Sequence, residues 1–260
     1  MVQVLELGER NAKVGGRKPW FTVINQQDFQ MSRMRFPDLR TAGQQLATKL
    51  EAFKESDDVI VLGIVLGGVP VALEVAKSLG TALDLVIIRR LLMPHGYGSQ
   101  VCAVAVAGSL VIDEELPPRP LVPEAPFDYF VTEALDQLAS RDRVCRGVRN
   151  VIDIAQKTVV LVDCGICTGS TMRAAIRALN TRKPARIIVA APAVSEPGEA
   201  SLSSLAQNLL CLSRPEPFGH VGLWYSDFNR PADAGVSELL AEAETERIHQ
   251  KENRANPLHT

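Results

Sequence analysis

The run Val159-Val160-Leu161-Val162-Asp163-Cys164-Gly165-Ile166-Cys167-Thr168-Gly169-Ser170-Thr171 decides how this chain is read. Its four leading residues are apolar and rich in β-branched types, the pattern of a strand buried on both faces of a parallel sheet. Asp163 falls where that strand ends, a loop of small residues follows, and Met172 to Leu179 reads as a helix. The first N–H groups of a helix have no intrahelical acceptor, and the helix dipole favours negative charge at that end. Loop hydroxyls add further donors, and an acid can accept hydrogen bonds from sugar hydroxyls. Strand, acid, loop and helix start therefore make a place to hold a phosphorylated sugar. A plain βα turn would explain Ser and Thr as local caps, but it leaves Asp163 without a purpose.

Working outward, Val59 to Val65 is a second buried strand, Gly67-Gly68 turns the chain, and Pro70 opens a helix over Val71 to Leu79 that Gly80 ends. Before it, Pro37 and Asp38 start a helix whose apolar positions are Leu39, Ala42, Leu46, Leu50 and Phe53. Leu83 to Ile88 is a strand that ends at Arg89-Arg90. Pro94, Gly96 and Gly98 mark a loop, and Val101 to Ala107 with Ser109 to Ile112 form a hairpin around Gly108. Pro117, Pro118, Pro120 and Pro123 mark a linker. A long helix follows over Phe127 to Val144, with Phe130, Ala134, Leu135, Leu138 and Val144 on or near one face. Beyond the central run come a strand at Arg186 to Ala191, a helix at Glu199 to Gln207, a strand at Leu209 to Leu212 and a helix through Ser237 to Ala243. Trp20 to Ile24 is a short strand in an otherwise mixed N-terminal stretch. Alternating strands and helices imply an α/β fold with a doubly wound, mostly parallel sheet flanked by helices, plus small β additions. The expected organisation is an N-terminal arm at 1–35, one domain at 36–244, and a polar tail at 245–260 that frays. In such sheets, ligands bind beyond the carboxyl ends of the strands. Gly67-Gly68, Arg89-Arg90 and Asp163 to Thr171 are all expected to converge on one such crevice.

Composition excludes several classes. The chain has 260 residues, is 46% apolar and carries a formal charge of −2, which argues against a general nucleic-acid or membrane-surface binder. The longest apolar run, Val59 to Ala76, is interrupted by Gly67-Gly68, Pro70 and Glu74 and is not a membrane span. Met1 to Arg10 lacks a secretory pattern, and five scattered cysteines point to reduced thiols, so a cytoplasmic location is expected. His95, His220, His249 and His259 have no paired spacing that would complete a zinc site with Cys164 and Cys167.

The central run resembles the motif by which type I phosphoribosyltransferases bind phosphoribosyl pyrophosphate (PRPP). The resemblance extends from about Phe36 to about Leu240. It includes Gly63 to Ala72 as a pyrophosphate loop and its helix, Leu85 to Leu91 as the strand leading to a mobile loop, and Arg146-Gly147 as a basic turn. Pro215 to Phe218 and Val221 to Phe228 resemble a C-terminal signature of one subgroup. It implies that Asp163 meets the ribose hydroxyls and is the catalytic residue. Cys167, Thr168, Gly169, Ser170 and Thr171 would wrap the 5′-phosphate, with Cys164, Gly165 and Ile166 in the same binding loop. Gly67 and Gly68 would approach the pyrophosphate, and Arg89 and Arg90 would add positive charge. The resemblance also implies magnesium carried by the substrate with Asp163 as its protein contact, PRPP and a base as substrates, and a homodimer.

Three positions depart from the family pattern, and each removes charge. Cys164 stands where a second acid is usual, as the uracil-specific branch also tolerates. Leu66 replaces an Arg before the two glycines. Gly98 and Cys102 stand where relatives carry Glu and then Gly. A PRPP- or nucleotide-binding regulator on the same scaffold is therefore a second reading. The pair Cys164 and Cys167, a C-x-x-C before a helix, supplies a third, thiol redox chemistry. Trp224, Tyr225 and Phe228 are candidates to stack on a base, although core packing is the expected role of at least two of them.

Overall fold

The computed structural model describes residues 35–91, 101–106, 109–112, 124–206 and 208–255. Asp38 caps the first helix, α1 (Leu39–Ala47), by accepting from the Thr41 N–H at 2.7 Å. The strand β1 (Val59–Ile64) follows, buried along its whole length. Helix α2 (Gly68–Leu79) begins two residues before Pro70 and ends at Gly80, whose φ of 68° is the left-handed cap expected of glycine there. Next come β2 (Ala82–Leu91), the hairpin β3 (Val101–Val106) and β4 (Ser109–Ile112), and the long helix α3 (Glu124–Arg146). The central run forms β5 (Thr158–Val162) and α4 (Ser170–Asn180). The chain then makes β6 (Arg186–Ala193), α5 (Glu196–Leu202), β7 (Asn208–Ser213) and α6 (Asp233–Ala255).

The sheet order is β4-β3-β2-β1-β5-β6-β7. β2, β1, β5, β6 and β7 run parallel, and the β3–β4 hairpin extends the β2 edge in antiparallel fashion. β1 and β5 are fully buried because helices cover both faces of the sheet. One face is packed by α4 and α5 through Met172, Ile176, Leu179 and Leu202 against Ile60, Leu62, Val159 and Leu161. On the other, Leu85 and Ile87 meet Val69 of α2, Leu138 of α3, and Val236 and Leu240 of α6. Strand order reverses between β1 and β5: the chain moves outward to β2 from one and to β6 and β7 from the other. The carboxyl ends of these two neighbours are the switch point at which such sheets leave a crevice.

Several expectations are corrected. β2 does not end before Arg89-Arg90: both lie inside it, paired with Ala103 and Cys102 of β3. The helix expected from Glu199 starts at Glu196 instead, because Ser195 caps it and a proline occupies its first turn. Val144 is half exposed, whereas Cys145 beside it is buried. The helix through Ser237 to Ala243 runs on to Ala255, so the fraying expected from Thr245 does not occur over that span. Gln250 Nε2 donates to Lys77 O at 3.0 Å and Arg254 pairs with Glu55 at 3.4 Å, which ties this polar stretch down. Trp20 to Ile24, the arm up to residue 34, the loop at 92–100 and the proline linker lie outside the described residues.

Arg146 is structural. Only 5% exposed, it donates to the equally buried Asp84 carboxylate and to Asp142, and Asp84 also accepts from the Ile152 N–H at 2.9 Å. This pair fastens the end of α3 and the segment before β5 to β2. Removing one partner alone would strand a buried charge at a cost of about 3–5 kcal/mol.

Candidate phosphosugar site

A cleft of about 530 Å³ opens at the switch point. One wall is the loop after β5 with the start of α4, from Asp163 to Met172; the other is Ile64 to Gly67 at the end of β1. Ile88, His220 to Gly222, Phe228 and Arg230 complete it. Of the residues expected here, Gly67 and all of Asp163 to Thr171 line this one cavity. Gly68 does not. It lies beneath, where a methyl group would sit 2.7 Å from Val162 O and 3.0 Å from Asp163 Cα, so its missing side chain lets α2 pack under the end of β5. Arg89 and Arg90 are placed only by their backbone in β2, and their side chains are outside the described residues.

The β5 loop is held from behind. Asp163 N–H donates to Ala190 O at 3.2 Å, Ile166 N–H to Ala193 O at 2.9 Å, and Ser195 N–H to Ile166 O at 2.9 Å. Ser195 Oγ donates to Cys167 O while accepting from Gly198 N–H at 3.0 Å. Gly169 has φ +74°, and a methyl group there would lie 2.0 Å from Ser201 Oγ. Only glycine meets both the backbone and the space requirement. These contacts come from β6 and α5, so the loop is tied down on the side away from the cleft. The first intrahelical bond runs from Arg173 N–H to Gly169 O at 2.8 Å, and no side chain caps α4. The N–H groups ahead of that bond are the ones a helix cannot satisfy itself, and they sit on residues that line the cleft. Thr168 and Ser170 hydroxyls lie 3.2 Å apart beside them.

Asp163 is half-buried, and one of its oxygens accepts from the Cys164 N–H at 2.7 Å, which fixes the carboxylate at the cavity wall. It is the one carboxylate among the described residues lining the cleft. Among the described residues, no cluster of three His, Cys, Asp or Glu side chains could hold a metal unaided. One carboxylate suits an ion that arrives on substrate oxygens and keeps its waters.

Cys164 is buried against the other wall, its sulfur 2.6 Å from where a Gly67 methyl would be. Burial, and then the Asp163 charge, push its thiol well above the ordinary range. A redox thiol needs the opposite shift, so Cys164 is not set up as an attacking thiolate. Of the three aromatics, Trp224 and Tyr225 are buried. Trp224 Nε1 donates to Phe218 O at 3.0 Å and Tyr225 Oη to Cys164 O at 2.5 Å. Phe228 lines the cleft and carries Arg230 over its ring, 5.5 Å from the centroid. No local pattern announced Arg230 as a site residue.

The profile described as "Phosphoribosyl transferase domain" matches residues 39–219. The chain belongs to the phosphoribosyl transferase family. Proteins of two Mycobacterium tuberculosis strains, CDC 1551 and H37Rv, are each 32% identical to it over 208 residues and carry a provisional phosphoribosyl transferase name. The match takes in 80% of this chain and 47% of each of theirs, so the chain spans about half the length of these curated relatives. The crystal structure of TT1426 from Thermus thermophilus is 34% identical, with a TM-score of 0.68 over 80% of this chain and 99% of that one. The family fold expected from the central run is therefore the one observed. Among the described residues, no helix is long and apolar enough to cross a membrane.

Proposed function

We propose that this protein binds PRPP and transfers its phosphoribosyl group to a nitrogenous base with release of pyrophosphate. One juxtaposition carries the reading: Asp163 and the uncapped first turn of α4 share a single cleft with the Gly67 loop. The cleft is of the size that holds small-molecule substrates. The 5′-phosphate would sit on the N–H groups and hydroxyls of residues 168–170, where the α4 dipole favours it. Asp163 would accept from the ribose hydroxyls, and the pyrophosphate would extend toward Gly67.

In the reaction, the bond between ribose C1 and the pyrophosphate oxygen breaks and the oxygen keeps the electron pair. A nitrogen lone pair of the base forms the new bond at C1, and the proton on that nitrogen passes to water. Positive charge grows on the ribose and negative charge on the leaving group, so alignment and electrostatics carry catalysis. The Asp163 carboxylate opposes the ribose charge, and the fixed β5 loop holds the sugar in line. Magnesium bound to substrate oxygens, with Asp163 as its protein ligand, would supply charge neutralisation at the pyrophosphate. A cytoplasmic homodimer completes the proposal.

The test is pyrophosphate release from PRPP and magnesium across a panel of purine and pyrimidine bases. Release with at least one base is expected, and Asp163→Asn should reduce it by about a hundredfold or more. Leu66 and the inward-turned Cys164 favour the regulatory reading to the extent that they strip charge from the cleft. Tight PRPP binding with no release from any base would assign that role instead.

A further inference from the structure

Pyrophosphate concentrates negative charge, yet the β1 wall that would receive it, Ile64-Val65-Leu66-Gly67, contains no charged side chain. Among the described residues lining the cleft, Arg230 is the one arginine or lysine. We infer that Arg230, supplied by the segment before α6, grips the pyrophosphate end of the substrate from across the β1 loop. This inference rests on the phosphoribosyl-transfer reading and adds to it the residue that receives the leaving group.

The segment is held by the chain ahead of α1. Phe36 N–H donates to Trp224 O at 2.8 Å, Ser226 N–H to Phe36 O at 2.8 Å, and Asp227 N–H to Pro37 O at 2.9 Å, which laces residues 224–227 in place. Phe228 then packs on the buried Tyr225 ring, 5.1 Å between centroids. The Arg230 guanidinium lies over Phe228, and its stem reaches the β1 loop: a Gly67 methyl would be 3.3 Å from Arg230 Cδ. Pro231 follows and disfavours a helical backbone at Arg230. A guanidinium held against an aromatic ring carries in-plane N–H donors, of which phosphate oxygens can take two at once. No carboxylate among the described residues forms a salt bridge with Arg230, in contrast to Arg40, Arg146, Arg214 and Arg247. The α4 end of the cleft takes phosphate through backbone, whereas this end offers a side-chain cation.

Calorimetric titration of PRPP and of ribose 5-phosphate, with magnesium, into wild type, Arg230→Gln and Arg230→Lys separates the outcomes. Arg230→Gln should weaken PRPP about ten- to a hundredfold. Ribose 5-phosphate, which lacks the pyrophosphate, should stay within about twofold. Arg230→Lys should recover part of the PRPP loss, since it keeps the charge without the fork. Equal weakening of both ligands, or no change for PRPP, would overturn the role of Arg230. Wild type that binds neither ligand would instead overturn the underlying reading. If Arg230→Gln does not fold, the PRPP to ribose 5-phosphate affinity ratio in Arg230→Lys decides alone, and a ratio equal to that of wild type overturns the inference.

Discussion

The loops after β1 and β5 end neighbouring strands and face each other across one cleft, yet they are built on opposite plans. The β5 loop holds its whole chemistry within Asp163 to Ser170: a carboxylate, two hydroxyls, a left-handed glycine and the open end of a helix. Its back is clamped by β6 and α5. The β1 loop holds none of this. Val65, Leu66 and Gly67 offer backbone and apolar surface, and their surroundings come from elsewhere, Cys164 from the β5 loop and Arg230 from beyond β7. Anion binding by backbone can be written locally, because strand end and helix start are adjacent in the chain. Charge for a second anion can be delivered by any segment the fold brings near.

Three substitutions, two of them paired with a rescue change, probe this contrast in descending order of effect. Asp163→Asn should abolish nearly all turnover. Gly169→Ala should come next, destabilising by about 2–5 kcal/mol: the left-handed backbone adds about 1–2 to an overpacking cost of about 1–3. Ser201→Ala should rescue only the steric part, because the φ of +74° remains. Gly67→Ala should cost less, about 1–2 kcal/mol, since its φ of −69° suits alanine and the clash is with the Cys164 sulfur. There Cys164→Ala should restore stability. Denaturant unfolding of the single and double variants measures the effects at 169 and 67, and full rescue at 169 or none at 67 would remove the contrast.

The smallest effect is a control far from both loops. Glu242 accepts from Arg40 at 2.7 and 2.8 Å and from Lys77 at 3.2 Å, which joins α6 to α1 and α2. The Arg40 hydrogen bonds, with help from Lys77, hold the Glu242 carboxyl down at about 2, against an ordinary value of 4.5. A depressed folded-state value means that the contribution is complete above pH 4.5 and is lost as pH falls from there through about 2. Both partners are partly exposed, and solvent screening limits the effect to about 1 kcal/mol or less. Thermal unfolding of Glu242→Gln against wild type should show a small deficit at about pH 7 that closes by about pH 2, with PRPP affinity unchanged.

The sequence made the parallel core legible because its strands are continuous apolar runs, and β1 and β5 prove buried on both faces. The β3–β4 hairpin and the helix stop at Gly80 were legible from local backbone chemistry. The candidate site was readable along the β5 loop for the same reason, each part lying a few residues from the next. Arg230 was not, because its place depends on pairing between residues 36–37 and 224–227 and on the Phe228 ring. Arg146 read as a basic turn because nothing nearby in the chain signals its buried partner Asp84. The polar end of α6 read as a fraying tail because its contacts, Lys77 and Glu55, are remote in sequence. Interactions within one turn or loop leave a pattern in sequence; those that bridge distant segments do not.

The most direct test of the central claim is thermal unfolding across a PRPP titration, with and without magnesium. The cleft should bind PRPP saturably, with a rising Tm that corresponds to about 2.7 kcal/mol once ligand reaches about a hundredfold over Kd. The rise should be larger with magnesium and smaller in Asp163→Asn. An unchanged Tm at a large PRPP excess would mean that the acid, the loop and the helix end hold no phosphosugar.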